Sequence, residues 1–221
     1  MSKSETIEAL MESAIYCFSR DGYEGASLRD IARNASVPLS TIHFYFGSKT
    51  ELFGAVGRRA WSEIDQDRSA YLQKAIAENP GRPPALGALI YALAYPIVSR
   101  ALSKSERDIG QIFILRSHTS HWQSGMSSRM LELADRSMTR WIDALTQLYP
   151  RLTRADIVWG FSFVIGTIYS WQVIDHRYDS MLDGDGERSA EDVTADIVAF
   201  CSNGMEAIAA RRTALASALS H

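Results

Sequence analysis

Residues 27–49, SLRDIARNASVPLSTIHFYFGSK, decide how the rest of the chain is read. Ser27 and Asp30 have the S-x-x-D spacing of a capping box, in which the serine oxygen accepts an orphan backbone N–H and the acid sits at the positive helix end. Leu28, Ile31, Ala32 and Ala35 then recur at i, i+3, i+4 and i+7, the apolar edge of one short helix. Ala35-Ser36-Val37-Pro38 interrupts it, and Pro38 suits the first turn of a new helix, where its missing N–H costs nothing. The second helix, Leu39 to about Tyr45, turns Ile42 and Phe46 inward and leaves Leu39, Ser40, Thr41 and His43 facing out. A second box, Ser48 with Glu51, starts the next helix directly. Helix, break, helix over so few residues is the geometry that lays a recognition helix in a DNA major groove.

From about Thr6 to Val56 the chain resembles the N-terminal domain of the tetracycline-repressor (TetR) family of bacterial transcription regulators. The resemblance is carried by Ala14, Phe18, Gly22, Tyr23, Ser27, Ile31, Ala32, Val37, Thr41, Ile42, Phe46, Lys49 and Leu52, and covers about a quarter of the chain. Three positions depart from the family pattern. Ser36 stands in place of glycine, His43 in place of a phosphate-contacting tyrosine, and Pro38 in place of a serine cap. The resemblance implies an all-α protein in which a three-helix DNA-binding domain, residues 1–56, joins a larger helical ligand-binding and dimerisation domain, residues 57–221. It also implies that Leu39 to Tyr45 enter a major groove, with Arg29, Ser40 and Thr41 at base edges and Ser27, His43 and Lys49 on phosphates. No Lys or Arg occurs between Leu39 and Tyr45, so specificity must come from hydroxyls, His43, methyl contacts and Arg29.

Composition agrees with this reading without demanding it. A length of 221 residues accommodates a small DNA-binding domain and a larger partner, and 46% apolar residues allow a sizeable core. The net charge of −3 carries no whole-chain sign of nucleic acid. Between Ala26 and Ala60, Arg29, Arg33, Lys49, Arg58 and Arg59 outnumber Asp30 and Glu51, a mild basic patch that alone reads as solvated surface. Cys17 and Cys201 lie far apart on helical patterns and read as reduced core residues of a cytoplasmic protein. MSKSETIEAL is a capped amphipathic start without a signal-peptide core.

The remaining chain reads as helix nearly throughout. Helix one spans about Ser4 to Arg20 and stops at Asp21-Gly22-Tyr23. A long helix runs from Lys49 towards Asn79-Pro80-Gly81, and Pro83-Pro84 opens another in which Pro96 should make a kink. Ser103 with Glu106 caps a short helix through Leu115, and a further helix covers Met126 to Leu148. Thr153 with Asp156, then Ser189 with Asp192, cap the last two. Residues 157–174, IVWGFSFVIGTIYSWQVI, hold no charge over 18 residues, the threshold for a membrane span. Ser162, Thr167, Ser170 and Gln172 interrupt the run, so a helix buried on most sides is the better reading, with no membrane partner.

Gly160, Gly166 and Gly204 on these last two helices permit close backbone approach, and the family resemblance implies a homodimer formed there as a four-helix bundle. The alternative is packing within one subunit. Trp61, Tyr71, Tyr91, Tyr95, Phe113, Trp122, Met126, Met130 and Trp141 give the middle section an aromatic and soft-sided character. Taken alone the set reads as core. The resemblance implies instead a cavity for a small apolar or aromatic effector, with Gln111, Arg116, His118 and His121 as orienting polar groups. His118-Thr-Ser-His121 lacks a third metal ligand, Asp183-Gly-Asp-Gly-Glu187 lacks the calcium-loop ladder, and Phe46-Gly-Ser-Lys-Thr50 lacks the spacing of a phosphate loop. No metal, cofactor or catalytic constellation is therefore expected. The expectation is a homodimeric repressor of operator DNA released by an apolar ligand. Its alternative is a helical ligand-binding or interaction module that keeps the fold without specific operator binding.

Overall fold

A computed structural model describes residues 2–103, 105–108, 128–178 and 188–218. It contains α1 (Lys3–Gly25), α2 (Leu28–Asn34), α3 (Leu39–Phe46), α4 (Lys49–Ala77), α5 (Leu86–Ala101), α6 (Ser128–Leu148), α7 (Arg154–Tyr178) and α8 (Ala190–Ala218), and no strand among the described residues. Two compact units form. One takes in residues up to Ile64 with Ser103–Ala134, and the other Asp65–Leu102 with Asp135 onwards.

In the first unit α1 is fixed at its start by a complete capping box. Ser2 Oγ accepts the Glu5 N–H at 3.3 Å, and the Glu5 carboxylate accepts the Ser2 N–H at 2.7 Å. Helical geometry fails where the sequence predicts, at Gly22 (φ 70°, ψ 178°), and one short turn follows to Gly25. Leu10, Ala14, Phe18, Ile31, Ile42, Leu52 and Val56 are fully buried and form one core shared by α1 to α4. The hydroxyl of Ser13 donates to the Ile31 carbonyl at 2.8 Å and ties α1 to α2.

The turn after α2 is built from backbone. The Val37 N–H reaches the Ala32 carbonyl and the Ser36 N–H the Arg33 carbonyl, both at 3.0 Å, with Ser36 at φ 55°. This is the Schellman arrangement, and its left-handed position normally falls to glycine. Left-handed backbone costs a side-chain-bearing residue ~1–2 kcal/mol, of which glycine's greater unfolded freedom returns ~0.4–1 kcal/mol. Ser36→Gly is therefore expected to stabilise the protein by ~0.5–1 kcal/mol, read as a higher midpoint in urea at unchanged slope.

Several local expectations differ in detail. Ser27 Oγ accepts from the Arg29 N–H at 3.2 Å, while Asp30 pairs with Arg33, so the Ser27–Asp30 box is only half made. An acid at this position is better satisfied by a cation one turn on. Pro38 is the N-cap of α3 rather than a residue of its first turn, and it supplies no side-chain bond. Ser103 accepts the Ser105 N–H at 3.0 Å and donates to Asp108, not to Glu106. The Thr153–Asp156 box forms completely, with the Asp156 N–H on the hydroxyl at 3.2 Å and the Thr153 N–H on the carboxylate at 3.3 Å, whereas Ser189 accepts the Asp192 N–H at 3.0 Å and donates its hydroxyl to the Asp192 carboxylate at 2.7 Å.

In the second unit α5 packs chiefly on α8, where Val198 closes on Gly87 and the Tyr95 hydroxyl donates to Glu191 at 2.7 Å. That bond pushes the Tyr95 hydroxyl up to about 12. At Gly160 a Cβ would lie 2.5 Å from Met205 Sδ, so a larger residue there requires the flexible Met205 side chain to shift. The charge-free stretch of α7 is not buried on most sides. Ile157, Phe161, Val164 and Ile168 are buried, whereas Val158, Trp159 and Phe163 are exposed on its other face. Lack of charge marks both faces as apolar, and only one is used within the chain.

Among the described residues no helix is long and apolar enough to cross a membrane. Cys17 and Cys201 are free and buried, and burial pushes both thiols up. Among the described residues no cluster suits a metal ion. The His118–His121 pair and the Asp183–Glu187 loop lie outside the described residues.

Candidate functional site

The recognition helix has one fully buried side chain. Ile42 is fully buried, and Leu39, Tyr45 and Phe46 are half-buried against the same core. Leu39, expected outside, thus helps seat the helix. Ser40, His43 and Phe44 are exposed, and Thr41 is half-buried beside them. Residues 40, 43 and 44 recur at i, i+3 and i+4, which is one continuous helix face, and Gly47 (φ 79°) ends the helix. The ring of Phe44 is 81% exposed and meets Tyr45 edge-on with centroids 5.0 Å apart. Sequence reading missed Phe44 because an aromatic among aromatics defaults to the core. Its spacing from Ser40 was the available signal. An exposed phenyl at this place can meet thymine methyls, a contact that needs no charge.

His43 Nδ1 lies 3.0 Å from the Gly47 carbonyl, which can only accept. Nδ1 therefore carries the proton, and Nε2 points away from that bond as the group free to meet DNA. Lys49 opens α4 at the end of this face. Its Nζ donates to the Glu24 carbonyl at 3.1 Å and stands 4.8 Å from the centre of the Tyr23 ring. Tyr23 is held in turn by Thr50 at 2.8 Å and by Phe53 at a centroid distance of 5.0 Å. Two hydrogens of the ammonium group remain for an anion. Arg29 is exposed on α2, and Ser27 is half-buried as its cap.

The mild basic patch is smaller than the sequence count suggests. Arg59 is turned to carboxylates, bidentate on Glu8 at 2.7 and 2.8 Å and bound to Glu63 at 3.0 Å. Hydrogen bonding from Arg59 holds the Glu8 carboxyl below its ordinary range. Arg107 joins the same set through Glu12 at 2.9 Å and Glu63 at 3.0 Å. Arg33 is neutralised by Asp30. Arg29 and Lys49 make no carboxylate pair among the described residues.

Of the expected effector residues, those described lie on α4, α5 and α6. Tyr91 and Tyr95 stack at 5.0 Å on the half-exposed stripe of α5, and Tyr71 meets both edge-on at 5.9 and 5.4 Å. Trp141 is buried on α6, and Trp61 is buried on α4, its indole N–H without a partner among the described residues. Met130 lies within α6, and Phe113, His118, Trp122 and Met126 lie outside the described residues, as do Gln111, Arg116 and His121. A shallow hollow of about 200 Å³ opens elsewhere, on the exposed face of α7, lined by Asp156, Trp159, Gly160, Phe163, Ile208, Arg211 and Arg212. Arg212 closes one side by pairing with Asp156 at 2.8 Å.

A buried isoleucine seating a short exposed helix, a turn before it and an anchored lysine after it define a helix-turn-helix DNA-binding unit, here continued by α4 into further helices. The profile of bacterial regulatory proteins, tetR family, matches residues 10–56, and that of the tetracyclin repressor-like C-terminal domain matches residues 96–204. The chain belongs to this family of DNA-binding transcription regulators. No curated protein matches the chain. Solved structures share its fold. The TetR family transcriptional regulator PfmR from Thermus thermophilus is 17% identical with a TM-score of 0.62, over 87% of this chain and 96% of its own. A TetR-like transcriptional regulator from Rhodococcus sp. RHA1 is 19% identical at 0.60, over 97% and 98%. The ketosteroid transcriptional regulator KstR2 of Mycobacterium tuberculosis is 18% identical at 0.62, over 92% and 96%.

Proposed function

We propose that the protein is a homodimeric, cytoplasmic repressor that holds a two-part operator through α3 of each subunit and leaves it when a small apolar or aromatic effector binds. The observation that carries the DNA half is the α3 face of Ser40, His43 and Phe44, exposed on a helix seated by buried Ile42. Arg29, Ser40 and Thr41 read base edges, with Leu39 and Tyr45 flanking them. Ser27, Lys49 and the doubly protonated His43 imidazolium, which then has an N–H at Nε2 to donate, take phosphates, Lys49 aided by the amino end of α4. Residues 1–56 do the binding, and residues 57–221 sense and dimerise.

Dimerisation falls to α7 and α8, whose outer faces carry Trp159, Phe163 and Phe200 beside Gly166 and Gly204. A Cβ at either of those glycines would meet nothing within 4 Å, the room that a second subunit's side chain would fill. The effector half is supported by the aromatic content of the second unit and by a fold neighbour whose name attaches it to ketosteroids, an apolar ring class. Because α4 runs unbroken from Lys49 to Ala77, an effector that shifts it alters the spacing of the two recognition helices. Half-sites stand ~34–36 Å apart or at multiples of that turn, so a few ångströms suffice to misfit one.

Lys49→Ala is expected to weaken binding alike on all DNA and to lower the salt slope by about one, because it removes a phosphate charge and no base information. Arg29→Ala or Thr41→Ala should instead cost roughly 1–3 kcal/mol on the operator alone. Salt-dependent gel shifts on operator and random duplex measure both. A Lys49→Ala protein with altered sequence preference and an intact salt slope would reverse the assignment.

A further inference from the structure

We propose that the effector is an organic anion with an apolar body and that Arg68 pairs with its acidic group. The inference rests on the effector reading above and adds the chemistry of its recognition. Arg68 lies on α4 in a buried stripe with Ile64 and Ala75, and only 3% of it is exposed. A guanidinium keeps its charge in any protein setting and carries five N–H donors. One of them is accounted for. Nε donates to the Leu93 carbonyl at 2.9 Å, one residue beyond Ala92, whose carbonyl loses its helical donor to Pro96. Nη2 is buried and has no hydrogen-bond partner among the described residues. The carboxylates beside it in sequence are committed elsewhere, Asp65 to Arg140 at 2.7 Å and to Ser137, and Asp67 to Arg100.

A buried cation without an anion is among the costliest arrangements a core can hold. A core arginine that served only to cap α5 would need one N–H, which an uncharged donor could supply. A carboxylate brought in by a ligand removes the cost and forms a charge-assisted pair, which the planar fork can make bidentate. A second orphan lies in the same unit. Thr194 on α8 is fully buried and its hydroxyl has no partner among the described residues. Along the α5–α8 pairing, Gly87 meets Val198 and Tyr95 meets Glu191, and Leu93 and Thr194 both fall between these contacts.

The test uses the full chain and three acids of different body, decanoate, 4-phenylbutyrate and 2-naphthoate, each against its methyl ester. Binding is read by tryptophan fluorescence and thermal melting, and operator release by gel shift. At least one acid is expected to bind about tenfold or more tightly than its ester, the worth of one charge-assisted bond. Arg68→Met should abolish that preference, and Arg68→Lys should retain only part of it, because an ammonium cannot offer the planar fork. Circular dichroism checks that each variant folds, and Arg68→Lys answers alone if the methionine variant does not. Acids no better than their esters, or a preference that survives in Arg68→Met, would overturn the proposal. Esters that bind and release operator as well as acids would overturn it while leaving the effector reading intact. Failure of every compound to bind or release operator would remove both.

Discussion

Phe163→Glu is expected to yield a monomer that keeps its helices and loses operator binding by about 100-fold or more, since tethering of two half-sites supplies that much of the affinity. The ring is 60% exposed and stands 6.5 Å from Trp159, itself 64% exposed, so the substitution disturbs little within one chain. In the proposed dimer the same position is covered. Aromatic side chains bury ~150–250 Å² each, worth several kcal/mol at ~25 cal/mol per Å², and a two-fold axis counts each change twice. Glutamate loses that area and brings two carboxylates into one dry contact. Val164→Glu makes the contrast. Val164 is 3% exposed inside its own chain, and a charge there should unfold the unit instead of dividing the dimer. Light scattering at micromolar concentration, circular dichroism and gel shift separate these outcomes. A Phe163→Glu protein that stays dimeric with full operator affinity would put the interface elsewhere.

Ile42→Ala should remove both stability and operator binding. Ile42 is the fully buried side chain of α3, and its truncation is expected to cost ~2–5 kcal/mol, the range for large aliphatic residues cut to alanine in a core. An eight-residue helix has little stability of its own, so losing its anchor frees its whole DNA-facing surface. Ser40→Ala, one residue from the start of the same helix but exposed, should leave stability within ~0.5 kcal/mol while weakening the operator complex. Chemical denaturation followed by gel shift measures both. An Ile42→Ala protein of unchanged stability would mean that α3 is held by Leu39, Tyr45 and Phe46 instead.

The helices were legible in the sequence because each begins or ends on residues with a local physical reason. Gly22 takes the backbone that stops α1, Ser189 and Asp192 start α8, and the buried positions of α1 follow the 3.6-residue period. Less legible was what each face of a helix meets. The charge-free run of α7 does not tell a twice-buried helix from one buried on one side and open on the other, because both forbid charge. The basic patch was overcounted because sequence proximity does not reveal that Arg59 turns to Glu8, 51 residues away. Phe44 was missed for the reverse reason, since an aromatic side chain left in solvent violates the rule by which cores are read. Arg68 lay hidden likewise, a charged residue that composition assigns to the surface and that α4 and α5 bury.

Sequence-specific duplex binding by a dimer is the claim on which everything else depends, and selection from random duplex followed by footprinting tests it most directly. The account predicts an inverted repeat whose half-site centres lie ~10–10.5 base pairs, or a multiple, apart, each protected in the major groove, in a salt-sensitive complex that survives competitor DNA. If selection enriches no sequence and every complex yields to competitor, the protein is a helical ligand-binding or interaction module that has kept this fold without reading DNA.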